Sequence, residues 1–129
     1  MTVLRIALAL GIVLAAAPER FQWFEVKGGL PVDASTMKDM RAGLPRFIDS
    51  QKPEIKADLT VFPHYAIQYQ RTLRGKNYRI RLNAFCAPDS GWDLHARFYE
   101  TSGGGNCYFH LDYDPKTKKF SNLHINGQD

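Results

Sequence analysis

The stretch YAIQYQRTLRGKNYRIRLNAFC, residues 65–86, carries the pattern that decides the fold. On either side of Arg74, Gly75, Lys76 and Asn77, apolar residues recur at every second position. Tyr65, Ile67 and Tyr69 alternate with Gln68 and Gln70; Tyr78, Ile80, Leu82, Ala84 and Cys86 alternate with Arg79, Arg81 and Asn83. A period of two with one apolar and one polar face belongs to an antiparallel strand covered on one side. Gly75 takes a positive φ without a steric penalty, as a tight turn requires. The stretch therefore predicts a long hairpin with its tip at 74–77.

The same alternation continues toward the C-terminus. Cys107, Phe109, Leu111 and Tyr113 alternate with Tyr108, His110 and Asp112, and Leu123 and Ile125 with Asn122 and His124. Residues 114–118, with Asp114 and Pro115, supply the turn between them. Residues 92–100 are expected to form a further strand, closed by the glycine run at 103–105. Toward the N-terminus the period changes to that of a helix. Met37, Met40, Leu44, Phe47 and Ile48 share one face, Asp33 or Ser35 caps the start, and Thr36 with Asp39 offers a capping box. Gly43 and Pro45 predict a kink or break. Residues 21–27, aromatic-rich and ending at Gly28 and Gly29, form a first short strand. The result is a two-layer α+β domain: one N-terminal helix packed on an antiparallel sheet of four to five strands.

The chain has 129 residues, 44% of them hydrophobic and 12% aromatic, enough for one packed domain. Its +4 charge is scattered, with one concentration at 71–81 and no long basic block of the kind that binds nucleic acid. Arg5, the apolar run 6–17 and the small residues Ala15, Ala16 and Ala17 read as a secretory signal over residues 1–17, too short to span a bilayer. The mature domain is then 18–129, periplasmic or secreted, with no transmembrane anchor. In an oxidising compartment the two cysteines, Cys86 and Cys107, are expected to bridge. They meet only if the strand ending at Cys86 pairs directly with the one beginning at Cys107. Residues 87–106 are then an excursion.

A helix, a long hairpin and then two strands after an appended segment resembles the cystatin layout. The hairpin resembles that family locally: Gln70, Gly75 and the run KNYRIRL at 76–82 stand where cystatins carry a Gln-x-Val-x-Gly turn and a Thr-Asn-Tyr-Tyr-Ile-Lys-Val strand. The spacing from Gln70 to Gly75 is one residue longer, and Arg71 and Arg74 replace small apolar residues. The resemblance implies a cystatin-like fold and a protease-wedging loop at 70–75. The late Cys-Tyr-Phe strand and a near-terminal Asn-Gly are also similar to small exported bacterial proteins of unassigned function, which implies location rather than chemistry.

Catalytic and cofactor signatures are missing: there is no Gly-x-Ser-x-Gly, His-Glu-x-x-His or calcium-loop pattern. His110, His124 and Asp112 share a face, but a solvated sheet surface accounts for them more simply than a metal. Asp112 and Asp114 fit a strand end. The reading is a non-enzymatic, cofactor-free protein-binding module, an inhibitor or immunity protein that blocks an exported hydrolase or toxin. The expected partner-binding residues are Gln70, Arg71, Arg74, Gly75, Lys76, Arg81 and Phe85, the last an apolar residue at an outward position. The alternative is a domain binding a small ligand or envelope component in a cavity lined by Tyr65, Tyr69 and Tyr78.

Overall fold

The computed structural model describes residues 19–127; the secretory signal expected at 1–17 lies outside the described residues. The elements are β1 (Phe21–Glu25), α1 (Ala34–Asp49), α2 (Pro53–Leu59), β2 (Tyr65–Arg74), β3 (Asn77–Phe85), β4 (Tyr108–Asp114) and β5 (Lys119–Ile125), with a short 3-10 turn at Gly105–Cys107. The five strands form one sheet in the order β1-β2-β3-β4-β5. From β2 to β5 it is an antiparallel meander. β1 runs parallel to β2, so the sheet is mixed rather than antiparallel throughout. The helices between β1 and β2 supply the crossover that a parallel neighbour needs.

Asp33 caps α1, its carboxylate accepting from the Thr36 amide at 2.7 Å, and Met40, Leu44 and Ile48 form its buried stripe. The expected break at Gly43 and Pro45 does not occur; α1 is helical through both. Pro45 has no amide proton to donate to the Arg41 carbonyl, but both residues are exposed, so that carbonyl is open to solvent. Gly43 marks a close approach instead: a Cβ there would lie 3.0 Å from the ring of Phe120 on β5. α2 was not anticipated from the hydrophobic period. Seven residues are too few to display one, although Pro53 at its first turn and Glu54 beside it suit a helix start.

Between the layers lie Phe21, Met40, Leu44, Ile48, Leu59, Tyr65, Ile67, Tyr69, Ile80, Leu82, Phe109, Leu111 and Tyr113. Tyr65 and Tyr69 thus fill the core and do not line a cavity there, and Tyr78 stands apart from them, 42% exposed at the sheet's end. Tyr65 keeps its hydroxyl satisfied by donating to the Asn106 carbonyl at 2.6 Å. Burial pushes its phenol up to about 12, against the opposing effect of the nearby Arg20 guanidinium. An unfolded tyrosine ionises near 10. Stability is therefore fully present below about pH 10 and falls as the pH rises toward 12, by up to about 1.4 kcal/mol per pH unit. Urea denaturation at pH 9, 10 and 11 should show this slope, and Tyr65→Phe should flatten it. An equal slope in wild type and variant would refute the assignment to Tyr65.

Cys86 and Cys107 are bonded, across the direct β3–β4 pairing that the bridge demands. The excursion 87–106, however, contains no strand; the one expected at 92–100 is a series of turns and bends. This segment lies over the outer face of the sheet. It is held by buried polar groups rather than by ladder bonds. Gln68, 0% exposed on β2, donates to the carbonyls of Leu94 at 2.9 Å and Arg97 at 2.6 Å, and its side-chain oxygen accepts from the Tyr99 amide at 3.0 Å. Asn83 on β3 donates to the Tyr99 carbonyl at 2.7 Å. At the far edge the Lys27 amide donates to the His95 carbonyl, and a His95 ring nitrogen meets the Glu25 carbonyl at 2.8 Å, which closes the end of β1.

Candidate functional site

Two surfaces survive once the cover is accounted for. The first is the end of the sheet where β2 turns into β3. Arg74 pairs with Asn77 across a two-residue turn, and Gly75 sits at φ +59 with nothing near its missing side chain. Leu73 and Tyr78 face each other across the hairpin and are 57% and 42% exposed. Both belong by alternation to the helix side, but the hairpin runs past the helix, so the core never reaches them. Leu30, 43% exposed, lies beside them because its amide donates to the Arg71 carbonyl at 2.9 Å. Leu30, Leu73 and Tyr78 therefore gather three of the large exposed apolar side chains at one end, on an otherwise polar rim.

The connector that carries Leu30 is fastened to the hairpin stem. Gln70 donates to the Lys27 carbonyl at 2.9 Å, and Arg71 to the Pro31 carbonyl at 3.3 Å. Gly29 makes the closeness possible. A Cβ there would lie 2.5 Å from the Gln70 side chain and 2.8 Å from the Arg71 backbone oxygen. Gly29→Ala should therefore cost about 1–3 kcal/mol, the range of overpacking, and raise amide exchange at Leu30. A loss below 0.5 kcal/mol in chemical denaturation would show that the connector shifts freely.

The basic residues of the hairpin and its strands are mostly engaged. Arg74 lies 3.7 Å from Asp112, Arg79 lies 2.9 Å from Asp114, and Arg81 pairs with Glu100. The Arg71 guanidinium rests 4.5 Å from the Tyr78 ring centroid. Lys76, at the turn, has no ion-pair partner among the described residues. Phe85 is not a contact residue on an open face: it is 0% exposed, packed edge-on to Trp92, which stacks on Tyr99 at 4.6 Å. Its outward position reflects a second, smaller core under the cover. Of the expected partner-binding residues, Gln70, Arg71, Arg74, Gly75 and Lys76 share the sheet end, Arg81 borders the cover, and Phe85 is enclosed by it.

The second surface is a cleft of about 460 Å³ between the cover and strands β4 and β5. Arg81, Tyr108, His110, His124 and Asn126 line it. His110 and His124 are direct cross-strand neighbours with ring centroids 4.9 Å apart. Burial, then the neighbouring His124 and Arg81, hold His110 below the ordinary imidazole range, which favours its neutral form. Asn126 closes one side by donating to the carbonyls of Thr101 and Gly103 at 2.8 and 3.0 Å. The cleft was invisible to periodicity because its far wall is the irregular segment. Among the described residues no group of three or more His, Cys, Asp or Glu is placed to hold a metal ion, and no helix is long and apolar enough to cross a membrane. No family model, curated protein or solved structure matches this chain.

Proposed function

We propose that the chain is an exported binding module that blocks a secreted or periplasmic hydrolase with the end of its sheet. The observation that carries this reading is the exposed trio Leu30, Leu73 and Tyr78, held on the β2–β3 hairpin end and on a connector hydrogen-bonded to its stem. An apolar centre ringed by arginine and lysine has the composition of a protein contact. A hairpin end and connector already ordered against each other also lose little conformational entropy on docking. The element order, with the segment 87–106 inserted between β3 and β4, supports the cystatin-like resemblance. The Cys86–Cys107 bond supports export.

The test is inhibition. Immobilised protein should retain from envelope extract a hydrolase whose activity falls on stoichiometric addition of the purified chain. Leu73→Asp, exposed and so nearly neutral for folding, should weaken that inhibition tenfold or more, a loss of about 1.4 kcal/mol. Equal inhibition by wild type and variant would remove the hairpin from the contact. A second reading, a domain for a small ligand or envelope component, is favoured by the 460 Å³ cleft beside His110 and His124. A ligand retained by wild type and lost in His110→Leu would select it.

A further inference from the structure

A separate cleft of about 350 Å³ opens on the helix side of the same sheet end, between the start of α1, the β2–β3 hairpin and the β4–β5 turn. Its cations are Arg71, Lys76 and Lys116, and its acids are Asp33 and Asp114. The acids are committed within the chain. Asp33 caps α1 through the Thr36 amide, and that hydrogen bond holds its carboxyl below the ordinary range. Asp114 accepts from the Lys116 amide at 2.9 Å and pairs with Arg79 at 2.9 Å.

The cations are not committed in the same way. Lys76 and Lys116 have no ion-pair partner among the described residues. The Nε–H of Arg71 is buried and donates to nothing, although the guanidinium is held in place by the Pro31 carbonyl and the Tyr78 ring. A buried donor left unpaired is costly and asks for an acceptor. Guanidinium and ammonium groups facing one small concavity suit an oxyanion. Arg79 offsets Asp114, so three cations stand against the one remaining carboxylate, Asp33; the lining stays positive, and a dianion gains more from it than a monoanion.

We infer that this cleft binds a phosphate-type dianion, either free phosphate or a phosphate monoester, through Arg71, Lys76 and Lys116. The cleft shares Arg71, Lys76 and Tyr78 with the proposed protein contact, but the anion can be titrated into the free protein, so the two readings fail separately. Inorganic phosphate, glycerol 3-phosphate and acetate would be titrated separately, following backbone amide resonances. Saturable shifts at Thr36, Asn77 and Lys116 are expected with phosphate, at least tenfold tighter than with acetate. Equal affinity for glycerol 3-phosphate extends the site to monoesters; binding of inorganic phosphate alone restricts it to the free ion, and either result supports it. Lys116→Gln and Lys76→Gln, both on exposed turns, should each weaken binding at least fivefold. Arg71→Gln should abolish it, and the two lysine variants keep the test valid if that change disturbs the hairpin. Non-saturating shifts, acetate binding as tightly as phosphate, or unchanged affinity in both lysine variants would overturn the inference.

Discussion

Replacing Gln68 by alanine should cost about 3 kcal/mol of stability and release the cover from the sheet. Gln68 is fully buried, and its one amide group serves the carbonyls of Leu94 and Arg97 and the amide of Tyr99. Truncation leaves these three backbone groups without their partner, at about 1–3 kcal/mol for each that stays dry; water entering the space left behind reduces the total. The effect should be local as well as global. The Tyr99 amide should exchange far faster, and Trp92, stacked on Tyr99 and set against Phe85, should change its fluorescence before the sheet unfolds. Gln68→Glu should be at least as damaging, because it removes both donors and adds a buried charge. A loss under 1 kcal/mol for Gln68→Ala, with Tyr99 still protected, would mean the cover is held elsewhere.

Loss of the disulfide, in a Cys86→Ala, Cys107→Ala double variant, should cost a similar amount, about 3 kcal/mol for a loop of this length in the chain-entropy model. The bridge joins residues 21 apart in sequence and ties together the two ends of the cover. The strand ladder should survive, since the Cys86 amide still donates to the Cys107 carbonyl at 2.8 Å. The expected signature is a lower denaturation midpoint with an intact β-sheet spectrum. Combined with Gln68→Ala, the losses should be less than additive, because both changes act on the same segment. Full additivity would indicate that the bridge and the Gln68 network stabilise different parts of the fold.

Gly43, Phe85 and residues 92–100 show where local patterns mislead. Gly43 reads as a helix breaker, yet it is where α1 comes against Phe120. Phe85 reads as an exposed anomaly, yet it is the floor of the space that Trp92 and Tyr99 fill. Alternating apolar residues at 92–100 read as a strand, but their partners are the side chains of Gln68 and Asn83 rather than a neighbouring backbone.

The sequence by itself determined the four strands β2 to β5, the capped helix after Asp33, the hairpin turn at Gly75 and the pairing of Cys86 with Cys107. These follow from alternation, turn chemistry and the reach of a disulfide, all of which act over a few residues or between two named atoms. Tertiary structure alone decided that β1 is parallel, that residues 87–106 cover the outer face, and that Leu30 joins Leu73 and Tyr78 at the sheet end. It also decided which arginines are paired and which donor is left over. Each of these depends on contacts between residues far apart in the chain. A polar residue such as Gln68 has the same local pattern whether water or a folded-back segment satisfies its amide.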